Sequence, residues 1–324
     1  MKLLRLCFWI YKSRNLQLIA PAYISPASPF PPPAPPQPPP PVPFEPIPLA
    51  DFGGGVRSSA VAASNGSKVF AGTGDGGGTK KDWWEYDPIA NTWTQKTDFG
   101  GSARVYAVAS AAQNGKIYLG LGGFMAPLNT DWWEYDPAGD SWTKKTDFPG
   151  AGRNTAVAAP ANGKVYVGTG YGGAMLKDWW EYDPAGDSWT QKTDLPGDER
   201  RGAVAASIND KIYLGTGSAP GEDLKDLWEY DPTTDSWTQK TDLPGDTRRY
   251  AVAAATSKLY IGLGSNGAQL TDFWEYDPGS NSWTQKTDFG GGARRLAVAA
   301  AIASKVFVGT GYSTTKLKDW WRQV

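Results

Sequence analysis

The chain has 324 residues, a net charge of −1, one cysteine (Cys7) and no histidine. Those absences exclude imidazole bases, Ser-His and Cys-His nucleophile pairs, histidine-ligated metals, thiolate clusters and a disulfide framework. The near-neutral balance argues against a nucleic-acid binder, and 39 Gly with 16 Trp predict short strands and tight turns rather than helices.

Residues 1–20 read as a leader. Arg5 and Lys12 bracket only six apolar residues, fewer than the roughly 7–15 of a signal peptide, so a secreted or cell-surface location is left open. No run of 18 apolar residues is present, and no membrane span is expected. Residues 21–43 form a proline-rich spacer, expected as extended polyproline II. Its PxxP spacings arise by chance in such a tract and are not read as an SH3 ligand.

From residue 44 the chain repeats. Tyr-Asp-Pro recurs at Tyr86, Tyr135, Tyr182, Tyr230 and Tyr276, and a sixth copy begins at Asp319-Trp320-Trp321. A period in the forties built of short strands points to propeller blades. Strand 1 is alanine-rich, as at 60–63 and 251–254. Strand 2 ends in Gly-Thr-Gly, as at 164–170. Strand 3 is Asp-Trp-Trp-Glu-Tyr-Asp, as at 178–183. Strand 4 is Ser-Trp-Thr-Gln-Lys-Thr-Asp, as at 188–194. Asn65-Gly66, Asn114-Gly115 and Asn162-Gly163 predict tight hairpins between strands 1 and 2. An Asp-Pro turn of constant length joins strands 3 and 4, with the Asp expected to cap it. The expected fold is all-β: a six-bladed β-propeller of four-stranded antiparallel blades. Their bounds are about 52–98, 99–147, 148–194, 195–242, 243–288 and 289–324. The sixth copy lacks strand 4. Residues 44–51 end like the strand-4 segment of other copies, so they are expected to supply it and close the ring, with proline tolerated on that edge.

These residues resemble the kelch repeat, whose Tyr, six residues, then Trp is met at Tyr86/Trp93, Tyr135/Trp142, Tyr182/Trp189, Tyr230/Trp237 and Tyr276/Trp283. The resemblance spans about residues 44–324. It departs from the family at the end of strand 2, where only Gly122-Gly123 keeps an adjacent glycine pair. It is closest to the bacterial, galactose-oxidase-like subset and implies a binding scaffold. The copper site of that oxidase needs two His and a Tyr-linked Cys, so its chemistry is excluded by residues.

The copies serve as internal controls. Features common to all blades are expected to be structural: the Trp pairs at 83/84, 132/133, 179/180 and 320/321, with Leu227/Trp228 and Phe273/Trp274; the carboxylates Glu85, Glu134, Glu181, Glu229 and Glu275; and the arginines Arg57, Arg104, Arg153, Arg200, Arg248 and Arg294. The Gly-rich loop 75–78 lacks calcium-loop spacing. Features that differ cluster on the face made by the 2→3 and 4→1 loops. The position after the common arginine reads Ser58, Val105, Asn154, Arg201, Arg249 and Arg295. Arg201, Arg249 and Arg295 are therefore candidate anion ligands, with Tyr106, Tyr250, Tyr171, Tyr312 and Phe124 as apolar contacts and Asp198, Glu199 and Asp246 as neighbours that neutralise them. The expected protein is a monomeric, non-catalytic scaffold without cofactor or metal that recognises a protein or glycan. The rival is a cofactor-free sugar-active enzyme, sialidase-like or sialic-acid-mutarotase-like, exploiting Tyr/Glu pairs. Its carboxylates are uniform and no blade carries a distinct acid/base pair.

Overall fold

The computed structural model describes residues 45–323. The leader, the spacer and Phe44 lie outside the described residues. Six four-stranded antiparallel sheets, one per sequence copy, form the blades of a propeller. In blade 3 the strands are Val157–Ala161, Lys164–Gly168, Trp179–Asp183 and Ser188–Lys192. Among the described residues no helix is long and apolar enough to cross a membrane.

The sixth blade is closed from the N-terminal side. Ile47–Pro48 pairs antiparallel with Trp320–Arg322, Ile47 opposite Arg322 and Pro48 opposite Trp321. Pro48 lacks an N–H but lies on the outermost strand, where no further ladder needs one. Asn91 Oδ1 accepts the Ala50 N–H at 2.9 Å, the bond that Asp140 and Asp187 make to Thr97 and Thr146 in other blades. One side chain replaces what a longer strand would contribute: Gln323 Nε2 donates to the Thr287 carbonyl at 2.8 Å. In the other blades this junction is made by the strand-4 Trp, as when Trp189 Nε1 donates to the Thr146 carbonyl.

Blades pack through aromatic rings. The first Trp of each pair is fully buried and meets the next blade edge-on: Trp132 lies 5.8 Å from Tyr182 and 5.2 Å from Trp189. Trp320 repeats this against Tyr86 and Trp93, joining blade 6 to blade 1. The tryptophans are therefore packing elements rather than exposed stacking platforms.

The common arginines are also structural. All six are at most 2% exposed. Each forks onto the Asp that precedes strand 3 of its own blade; Arg153 reaches Asp178 at 2.5 and 2.7 Å. The same guanidinium donates to the Thr169 carbonyl, and Trp180 Nε1 donates to the other side of the clasp, Asp178 Oδ2. Thr169 is the middle residue of Gly-Thr-Gly and holds φ 57°, a conformation costly for a β-branched residue. The arginine fastens the carbonyl of that strained residue. The preceding Gly168 is required because a Cβ there would lie 2.5 Å from the Asp178 carbonyl oxygen and 2.2 Å from Trp179.

The hairpin expectation needs correction at two of three places. Asn162-Gly163 is a two-residue turn with φ 49° and 74°. Asn65-Gly66 and Asn114-Gly115 lie in longer connections, because their strands stop earlier, at Ser64 and Ala111. Asn209-Asp210, without glycine, makes the same two-residue turn with φ 50° and 59°. Asn and Asp tolerate the left-handed region, so glycine alone was too narrow a signal.

Breaking a buried ion pair strands a charge, so Arg153→Ala should lower unfolding free energy by about 3–5 kcal/mol. Arg153→Lys, which keeps charge but loses the fork, should cost less. Lys144→Ala, at an exposed pair with Asp147, should cost under about 0.5 kcal/mol. Denaturant melts of the three variants check this ordering. A second expectation concerns acid. Burial pushes the carboxyls of Asp82, Asp131, Asp178 and Asp272 up, but their arginines' hydrogen bonds outweigh it and hold them below the usual aspartate value. A depressed folded-state pKa stabilises above the unfolded value and is lost as protons bind below it. The melting temperature should be flat from about pH 7 to 5 and fall steeply below about pH 4. A profile still flat near pH 2 would remove the clasps as the source of acid lability.

Candidate functional site

The clasp fixes where the variable residues lie. Immediately after each common arginine, the chain pairs backbone-to-backbone with the first residue of a 2→3 loop. Arg201 exchanges hydrogen bonds with Ser218, Arg249 with Ser265 and Arg295 with Tyr312, all 2.8–3.1 Å. The 4→1 and 2→3 segments thus share one face, as their connectivity predicts.

The next residue in each blade is left-handed: Ser59, Tyr106, Thr155, Gly202, Tyr250 and Leu296 have φ from 52° to 61°. Their backbones form a closed belt. Each N–H donates to the carbonyl of the preceding blade's residue, Ser59 completing the circuit to Leu296, at 2.8–3.2 Å. Only Gly202 lacks a side chain. A Cβ there would lie 2.7 Å from Tyr250 Cδ1 and Cε1, so the Tyr250 ring lies across Gly202 and overhangs the belt. Tyr106 lies three blades away, on the opposite side.

The three candidate arginines divide into two kinds. Arg249 Nη1 donates to both oxygens of Asp223 at 2.7 and 2.8 Å, with Asp223 only 9% exposed. That cation is neutralised by the neighbouring loop, in which Ser218–Ala219 and Glu222–Asp223 form a short hairpin of their own. Arg201 lies over the Tyr171 ring at 5.5 Å, and Arg295 over the Tyr312 ring at 5.7 Å. Neither has an ion-pair partner among the described residues, and the Nε of each is buried without a hydrogen-bond partner. Stacking holds each guanidinium plane in place and leaves its outer edge for an acceptor.

Two sequence expectations are corrected here. Asp198 and Asp246 do not neutralise the variable arginines: their backbone carbonyls accept from Arg200 and Arg248, the buried clasps. Glu199 has no ion pair with them among the described residues. The neutralising group is Asp223, which the sequence did not single out. Its signal was a Pro-Gly turn flanked by residues able to pair, unique to blade 4. Phe124 is 71% exposed beside Met125 at 76%, at the tip of the blade 2 loop, and no ring contact joins it to the belt tyrosines.

The remaining candidates are accounted for within the blades. Glu134, Glu181 and Glu229 accept hydrogen bonds of 2.6 Å from Tyr118, Tyr166 and Tyr213. Burial first, and the carboxylate second, push these phenols up from their usual pKa, the reverse of what a phenolate nucleophile needs. Asp75 Oδ1 accepts the N–H groups of Gly77 and Gly78 and pairs with Lys316 across the blade 6–blade 1 junction. Lys316, followed by the turn N–H groups, outweighs desolvation and holds that carboxyl below its usual value. Among the described residues no group of three or more carboxylates, Cys or His is placed to hold a metal.

Residues 145–311, just over half the chain, match the family model KLHDC2/KLHL20/DRC7 Kelch-repeats domain. The chain belongs to the kelch-repeat family. No curated protein sequence matches it. Among solved structures this kelch propeller is similar to "Structure of YjhT", with a TM-score of 0.73, 19% identity, and coverage of 84% of this chain and 95% of that one. At that identity the likeness is one of fold.

The two kinds of cation are separable by stability. Arg249→Ala removes a nearly buried acceptor's partner and should cost about 1–3 kcal/mol. Arg201→Ala, with no anion to strand, should cost under about 1 kcal/mol. Equal losses in paired thermal melts would contradict the assignment.

Proposed function

We propose that this kelch propeller is a non-catalytic binding module. It takes an anionic group of a protein or glycan ligand on the face formed by the 2→3 and 4→1 loops. The observation that carries this reading is the pair of half-buried guanidiniums, Arg201 and Arg295, each stacked on a tyrosine and each without an anionic partner among the described residues. A partly desolvated cation with an open edge gains most from a bidentate carboxylate or sulfate. Tyr106 and Tyr250 offer apolar surface at the belt, Phe124 offers it at the periphery, and Arg249 serves chiefly to seat the blade 4 loop.

The sugar-active alternative has weaker support. The phenols of its phenol–carboxylate pairs are pushed up from their usual pKa, and the pairs recur in blades 2, 3 and 4 and lie toward the 1→2 turns. Asn114 of one such turn donates to Tyr118 Oη. The arginines lie at the other face.

The test is a screen of acidic glycans and acidic peptides against the wild-type protein and the Arg201→Ala/Arg295→Ala variant. The double variant should lose at least tenfold in affinity, with its melting temperature nearly unchanged. Undiminished binding would end the arginine assignment. Turnover of sialylated or uronic-acid substrates that disappears in the same variant would replace the scaffold with the enzyme.

A further inference from the structure

The belt rings the axis at the loop face, and the largest of three spaces near the axis lies among the 1→2 turns. Three spaces follow one another along the axis. The first two are lined mainly by strand-1 alanines and have volumes of about 160 and 180 Å³. The third, about 330 Å³, opens among the 1→2 turns of blades 1 to 4. A volume near 300 Å³ is at the lower limit of small-molecule sites.

This mouth is asymmetric in chemistry. At the last channel-facing position of strand 1 the six blades carry Ser64, Ala111, Pro160, Ser207, Ala255 and Ala301. Ser207 Oγ is buried and has no hydrogen-bond partner. The adjoining turns of blades 1, 2 and 4 add Asn65, Gln113, Asn209 and Asp210. Asp210 Oδ1 accepts from Gln113 Nε2 at 3.2 Å and from the Asn162 N–H at 2.8 Å. Those bonds orient the carboxylate across three blades. Oδ2 has no partner, and no cation pairs with Asp210 among the described residues. No basic side chain lines the space, so an anion would meet only Asp210.

We propose that this mouth is a second binding site, for an uncharged polyol of monosaccharide size. Its hydroxyls would donate to Asp210 Oδ2 and exchange hydrogen bonds with Ser207 and the side-chain amides. Its C–H face would rest on Pro160 and the alanines. The site is separate from the arginine face: its polarity and its entrance differ, and none of its lining residues is shared.

The test is titration calorimetry of the full chain with glucose, galactose, mannose, mannitol and myo-inositol, each taken to about 50 mM, with saturation-transfer NMR to map ligand contacts. At least one should bind saturably. Asp210→Asn, which keeps size and tolerates the left-handed backbone, should weaken binding about tenfold, the loss expected when a hydrogen bond to a charged acceptor becomes a neutral one. Ser207→Ala, the residue blades 5 and 6 already carry there, should fold normally and weaken it severalfold. Arg201→Ala/Arg295→Ala should bind as wild type. No saturable binding by any polyol, wild-type affinity in both mouth variants, or loss in the arginine variant would each overturn the proposal.

Discussion

The buried guanidinium–carboxylate clasp is the constraint on which the rest depends. A charged pair removed from water is stable only when its remaining donors are satisfied. Here the arginine spends one edge on the aspartate and one amine on the carbonyl of a left-handed Thr or Leu, while the indole behind completes the aspartate. In blades 1, 2, 3 and 6 a phenylalanine of the preceding segment also lies 4.7–5.3 Å from the guanidinium carbon. Two charged groups, one strained residue and one indole thus hold one another. Because the arginine begins strand 1's approach and the aspartate begins strand 3, the clasp ties the inner strand to the third strand of its own blade. It also sets the register in which the next residue meets a 2→3 loop and the one after it joins the belt.

The belt follows from that register. Five of the six left-handed residues are not glycine and are costly individually, yet each of the six is held by a hydrogen bond given and one received around the ring. Blade-to-blade cohesion comes from two further layers, the aromatic rings outside and the 3→4 turn side chains, where Asp140 and Asp187 each bind their own blade's tyrosine and the previous blade's backbone. Such a frame is nearly six-fold symmetric. Function in a symmetric frame must come from broken symmetry, and two such breaks are present. One is cationic at the loop face; the other is polar and weakly acidic at the turn face.

Each break was legible to a different degree. Arg201, Arg249 and Arg295 stood out because the same position holds Ser, Val or Asn in other copies. What the repeat comparison lacked was the third dimension. Asp223 neutralises Arg249 from another loop 26 residues earlier, whereas Asp198 gives its backbone carbonyl to the buried Arg200. The turn face looked uniform because Asn-Gly occurs three times there. The strands end at different residues, however, so the same dipeptide occupies connections of different length, and the polar side chains gather on one side of the mouth.

The sequence by itself determined the blade number, the strand order, the ring closure by the segment before blade 1 and the separation of common from variable positions. These depend on repeats and period-two burial, which are local along the chain. Only the tertiary structure decided which variable arginines are paired with a carboxylate, that six backbones close into a belt, and which turns gather around the space at the opposite face. Those outcomes depend on residues from different blades meeting across the axis, and no local pattern encodes which side chains converge there.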